Sequence, residues 1–460
     1  MTLTLKYLLP FVACAILAGC YKGASDSFID DGTKVDPVDR EEDVQTKAQN
    51  RWTYEHMRSD YLWEEFLPDT AALNMAEYPQ KFFDRLKYAG DRFSWTEINP
   101  DFSGLSVYDR FGIDYALYRT AAGEEVCRLT LAQRSVVAEA GLRRGEWFRI
   151  TEDAGDRLTI TTGSIDGGAF RSQRQISLLA LDASQHTEAV MLDTVYHIGD
   201  NHIAYLFYNE FIDGTSAINN PYRSELRAVF ARFRDEQATD IIIDLRYNPG
   251  GHVSICQYLA SLMLRDEYLG GISGYHSYNK ALAAAHLVET GNEEDILYFA
   301  GHDAVGGNNV GLDRAWFIIT QRTASASESL INTLSPFLRT TTIGSRSTGK
   351  GVGSWTIEDR RYQWKLQPIT FRYYNSQHVT VPDEGLTPDI PASDEGDGLI
   401  YEIGDVRERL LNIALVNITG GGLRSEPLTS IDYARPVDGF VPERRRTEGY
   451  IDNSPFYKQQ

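Results

Sequence analysis

The chain has 460 residues, 42% of them hydrophobic and 24% charged. At about 100–200 residues per domain, that is enough for two to four globular units. Lysine and arginine number 45 against 65 aspartates and glutamates, and no basic stripe interrupts the acidity, so a nucleic-acid partner is excluded. The 4 cysteines lack a CxxC spacing and the 9 histidines are scattered, so neither a metal nor a cofactor is expected.

In chain order, the first element is a targeting segment. Lys6 precedes an apolar run from Tyr7 to Leu17 that is too short to cross a bilayer. Leu17-Ala18-Gly19-Cys20 follows and resembles the bacterial lipobox. The resemblance implies a signal peptide over 1–19 and lipidation at Cys20. The protein would then be anchored to the outer membrane of a Gram-negative-type envelope, facing the periplasm or the surface. Residues 20–45, with the charged stretch Asp36–Glu42, read as a flexible tether. Cys127 and Cys256 then remain, and both are expected to be buried and unbridged.

Residues 46–98 read as a helical segment. Trp52, Tyr54, Met57, Tyr61, Leu62 and Phe66 recur at spacings near three and four, as do Tyr78, Phe82, Phe83 and Leu86. From 99 to 190 the pattern changes to short alternating strands at Phe111–Tyr118, Glu125–Leu131, Trp147–Thr151 and Arg157–Thr162. Between them, Ser135–Phe148 (SVVAEAGLRRGEWF) resembles the middle of a PDZ domain, with Glu146 where aspartate is usual. That implies peptide binding by strand addition at a sheet edge.

Residues 191–420 read as α/β. The apolar run Asp240–Leu245 suits a strand buried on both faces. It feeds into Arg246-Tyr247-Asn248-Pro249-Gly250-Gly251 and a helix from Val253. Residues 270–311, rich in Gly, Asn and Tyr, read as an insertion or lid. A second buried strand, Ala315–Thr320, runs into Thr323-Ala324-Ser325-Ala326-Ser327-Glu328, and Gly349-Lys350-Gly351 lies downstream. A helix is expected from about Asp405 to Asn417, and residues 421–460 read as an extended tail.

These last motifs carry the chemistry. A serine hydroxyl needs a base, and a desolvated lysine can supply one. Ser325 at a strand-to-helix turn would sit where the helix dipole favours negative charge, with the Ala326 amide beside it. The glycine turn at 250–251 lets backbone approach the same pocket. Lys350 is flanked by small residues without an acid, as a neutral amine requires. Each motif alone has a plainer reading. Ser325 and Glu328 form a capping-box pattern, a lysine between glycines is an exposed turn, and Asn-Pro-Gly-Gly is simply a good turn.

Taken together, IIIDLRYNPGG, TASASE and GKGVGS resemble the C-terminal-processing (tail-specific) serine peptidases, in particular a lipoprotein subgroup with an aromatic helical lead-in. The resemblance implies a ClpP/crotonase-like ββα core with a PDZ-like insert. It places the nucleophile on Ser325, the general base on Lys350 and the oxyanion donors on the backbone of Gly251 and Ala326. Ser354 stands where many members carry a lysine-orienting glutamine, and is the candidate for that task here. The implied partner is a protein or peptide substrate, bound by its C-terminus. Two other readings stand beside it: a peptide-binding lipoprotein with a vestigial protease core, and a glycan-binding lipoprotein suggested by aromatic richness.

Overall fold

The computed structural model describes residues 37–98, 106–181, 188–213, 220–394, 398–421 and 434–437. The apolar run Asp240–Asp244 is an inner strand of a six-stranded sheet, and all five residues are buried. Strands 201–208 and 314–319 flank it in parallel, 339–344 and 390–391 continue the parallel set, and 190–198 closes the opposite edge antiparallel. Side chains alternate across a strand, so such a run must find cover on two sides. Ile241 and Ile243 pack with Phe230, Leu259 and Leu330 from the helices Pro221–Asp235, Val253–Met263 and Ala326–Leu334. Ile242 faces the other way, toward Leu411 and Leu415 of the helix Arg409–Thr419. The fold is mixed α/β, as the sequence implies.

The segment expected to be PDZ-like is an antiparallel meander of 113–120, 125–132, 147–153, 157–166 and 169–179, with the short helices Val107–Phe111 and Arg134–Ala140. Gly141 ends the latter in a left-handed conformation (φ 64°). Only the turn around Gly155 separates the third and fourth strands. The strand 169–179 escaped the sequence reading because most of its side chains are exposed and polar. Residues 434–436, expected in an extended tail, pair antiparallel with 118–120.

The lead-in is helical at Pro37–Asp60 and Pro79–Leu86, but 95–98 form a strand paired with 364–367. The first helix also takes in 37–45, which had been read as tether; Pro37 begins it, where a missing N–H costs nothing. Residues 270–311 hold two strands and two helices joined by short turns. Strand 272–278 pairs with 295–298 and 369–375, and the helix Lys280–Thr290 contacts the first helix. Cys127 and Cys256 are buried and unbridged, as expected. No helix among the described residues is long and apolar enough to cross a membrane. Cys20 lies outside the described residues.

Candidate active site

Two neighbouring parallel strands, 240–244 and 314–319, end at the same edge of the sheet, the usual place for a ligand in an open α/β sheet. Asn248 ties the turns that follow. Its side-chain amide donates to Tyr208 O (2.9 Å), and its Oδ1 accepts from the Gly250 amide (2.9 Å). Its main-chain carbonyl accepts from Ala324 N (3.2 Å) and Ser327 Oγ (3.1 Å). Thr323 Oγ1 donates to Leu245 O at 2.8 Å, a second tie between the turns. Ser327, the other serine of the box, is thus fully buried and committed to Asn248.

Ser325 caps the helix Ala326–Leu334 with φ 55° and ψ -118°, a conformation that glycine adopts readily and other residues rarely. It is 4% exposed. The turn opposite comes close: a Cβ on Gly250 would lie 2.8 Å from Ser325 Cβ and 3.0 Å from Ala326 N. Gly251 is held by a parallel bridge to Phe211, whose amide donates to Gly250 O (2.8 Å) and whose carbonyl accepts from His252 N (2.7 Å). Neither the Gly251 nor the Ala326 amide donates to an acceptor among the described residues. The two expected donors therefore flank Ser325 on adjoining turns.

Lys350 is 7% exposed. Gly349 before it has φ 80°, and a Cβ there would lie 2.1 Å from Asp383 O, so only glycine fits. The group that joins this loop to Ser325 is Glu328. Its Oε2 accepts from the amides of Ser325 (2.9 Å) and Lys350 (2.8 Å), and its Oε1 from Gly349 N (2.7 Å) and Ser347 Oγ (2.5 Å). Burial raises the Glu328 carboxyl above its ordinary range, opposed by these four donors.

Burial also lowers the Lys350 amine to about 8, against the opposing pull of Glu328 and Asp91. The Phe93 ring lies 5.5 Å from its Nζ. The two acids come from distant segments, so the acid-free neighbourhood read from the local sequence is not the one in space. Arg346 is exposed and contributes nothing to the lysine's shift.

Ser354, the candidate for orienting the lysine, is buried in strand 352–354, where its Oγ accepts from Gln367 Nε2 at 3.0 Å. No cluster that could hold a metal ion occurs among the described residues. The close approach expected of the glycine turn is met by Gly250, but the sequence reading missed the roles of Asn248 and Asp91–Phe93. It treated Glu328 as a helix cap only. It also passed over Arg246, which is fully buried in the turn and bonded to Asp244, Asp394 and Glu408.

The model for peptidase family S41 matches residues 202–392, and that for the peptidase S41 N-terminal domain matches 48–95, together more than half of the chain. The chain belongs to peptidase family S41. Both serine and lysine motifs of this S41 chain fall within the larger match. Carboxyl-terminal-processing peptidase 1, chloroplastic, of Arabidopsis thaliana is 23% identical over 340 residues, covering 66% of this chain. The S41 chain spans 61% of that relative's length, less than two thirds. A crystal structure of a Bacteroides fragilis protein assigned to the S41 proteases superposes with a TM-score of 0.67. It is 22% identical, covers 80% of this chain and 97% of its own, and shares the fold.

Proposed function

We propose that this chain is a serine endopeptidase working through a Ser325–Lys350 dyad without metal or cofactor. The observation that carries the reading is the Glu328 carboxylate, one oxygen of which fixes the backbone of both residues. In the first step Ser325 Oγ bonds to the scissile carbonyl carbon while Lys350 Nζ accepts the hydroxyl proton. The carbonyl oxygen, now negative, is received by the Gly251 and Ala326 amides. Collapse breaks the C–N bond, and the leaving amine takes its proton from the Lys350 ammonium. Water then attacks the acyl ester, Lys350 accepts the water's proton, and Ser325 leaves with a proton returned from the lysine.

The substrate class is protein, cut near the C-terminus, in keeping with the name of the Arabidopsis relative. The lipobox supports an anchor on Cys20 and a place in the cell envelope. Cleavage of an unfolded protein such as casein by the purified full-length chain tests the dyad. Activity lost in both Ser325→Ala and Lys350→Ala supports it; equal cleavage by all three removes it. Cys20→Ala, followed by labelling with a palmitate analogue, tests the anchor, which requires loss of label.

A further inference from the structure

We propose that the turn Asp91–Ser94 of the N-terminal segment is a working part of the catalytic site, with Arg92 and Phe93 acting as positioning residues for Lys350. The proposal rests on the dyad reading above and assigns a task to a segment outside the peptidase core.

Three contacts carry it. Arg92 Nη2 donates to Gly349 O (2.9 Å), Asp383 O (2.6 Å) and Thr348 O (3.4 Å), so one guanidinium brackets the residues before the lysine and the turn facing them. The Phe93 ring stands 5.5 Å from Lys350 Nζ. Asp91 organises the turn: its Oδ1 accepts from the amides of Phe93 and Ser94 (2.9 Å each), and its Oδ2 from Tyr61 OH (2.7 Å).

The turn is fixed at both ends. Tyr61 OH accepts from Tyr88 N (3.0 Å) on one side. On the other, Ser94 Oγ accepts from Ile369 N (2.8 Å), and strand 95–98 then pairs with 364–367.

Phe93 acts on the amine in two opposite ways. Its π face favours the ammonium only weakly, because 5.5 Å is near the outer limit for that attraction. Its bulk excludes water and favours the neutral amine, and burial is the larger influence on this lysine even with two carboxylates opposing it. The charged groups around the amine are Glu328 from the nucleophile helix and Asp91 from the turn, with the Arg92 guanidinium on the neighbouring carbonyls. Exclusion of water therefore wins, and Phe93 keeps Lys350 competent as a base near neutrality.

The test is the pH dependence of kcat/KM for the full-length protein, with Phe93→Ala, Phe93→Leu, Arg92→Ala and Arg92→Lys beside wild type. Phe93→Ala should move the acid limb up by about one pH unit and lower the neutral-pH rate about tenfold, with recovery at alkaline pH. Phe93→Leu should bring the limb most of the way back. Arg92→Ala should lower kcat about tenfold with little change in KM, and Arg92→Lys should recover part of it.

Competitive acetylation of Lys350 across pH, read by mass spectrometry in a Ser325→Ala background, reports the amine without needing turnover. An unmoved limb and unmoved acetylation midpoint in Phe93→Ala, with wild-type kcat in Arg92→Ala, would overturn the proposal. If Phe93→Ala fails to fold, judged by its melting curve, the Arg92 pair and Phe93→Leu still decide. An active Lys350→Ala would instead sink the dyad itself, so the two failures are distinguishable.

Discussion

The Glu328 carboxylate accepts the Lys350 amide at 2.8 Å through the same oxygen that accepts the Ser325 amide. The cap of the helix and the anchor of the lysine loop are thus one group, completely buried. Glu328→Gln would place an NH2 either against the two amides of Ser325 and Lys350 or against the Gly349 amide and the Ser347 hydroxyl. Such a clash leaves buried donors unpaired, costing about 1–3 kcal/mol each. Activity should fall at least tenfold. Removal of the negative charge should also move the acid limb of the pH–rate profile downward, since that charge opposes deprotonation of Lys350. A pH profile with an unmoved limb would contradict this account.

The lysine itself predicts the pH dependence of activity. With its amine lowered to about 8 by burial, the neutral base is the minor form at pH 7 and the major form at pH 9. The rate of peptide cleavage should climb through pH 8 and level off above it, a profile measurable with a quenched fluorescent protein substrate.

The same shift has a consequence for stability. The folded chain releases this proton near pH 8, whereas an unfolded lysine holds it to about 10.4. Between those values the unfolded state binds more protons, so stability rises with pH across that window. Below it the buried ammonium carries its full penalty, about 3 kcal/mol at most. Lys350→Met should therefore stabilise the fold by about 1–3 kcal/mol at pH 6–7. The gain should vanish above pH 10.5, and paired denaturant titrations at the two pH values would detect it.

Ser325 is strained at φ 55°. Ser325→Gly and Ser325→Ala both remove the hydroxyl, but only glycine adopts that backbone without cost. The glycine variant should be more stable than the alanine variant by about 1 kcal/mol or more, read as a difference in urea midpoint. The converse holds at Gly250, where an added Cβ would meet Ser325 Cβ at 2.8 Å and Ala324 O at 2.9 Å. Gly250→Ala should abolish cleavage, by displacing the serine.

Arg246 lies beneath the glycine turn, with its guanidinium bonded to Asp244 and Glu408 and joined to Asp394. Arg144 of the meander reaches two of these acids, Asp394 and Glu408. Removing Arg246 alone leaves carboxylates buried without their partner, which typically costs about 3–5 kcal/mol. Arg246→Ala should lose that much stability in a thermal or denaturant melt. A change under 1 kcal/mol would mean that Arg144 satisfies Asp394 and Glu408 and that Asp244 tolerates the loss of its partner.

What was legible in the sequence was local. The run at 240–244 is apolar at its inner positions because it is covered twice, and the serine box follows a second such strand; both appear where the pattern puts them. Ser325 and Glu328 presented a choice between cap and nucleophile, yet the cap geometry and the exposed chemistry of the turn coexist. A carboxylate oxygen can accept two donors, and Glu328 Oε2 serves both the cap and the lysine loop. What stayed hidden depended on pairs distant in the chain. Arg92 meets Gly349, and Asp91 bears on Lys350, through contacts that no spacing encodes. The strand 95–98 is too short for a period to declare itself, and in 169–179 the polar run 171–175 interrupts the alternation between Phe170 and Ile176.

The short strand at 434–436 occupies one margin of the meander, lying against 118–120, and Pro436 ends it without an N–H to offer. A visiting peptide that added itself as a further strand would find the 117–120 end of that margin taken by the chain's own residues and blunted by an imino acid. Were a peptide to join the meander as a further strand, the margin at 169–179 would receive it without meeting 434–436.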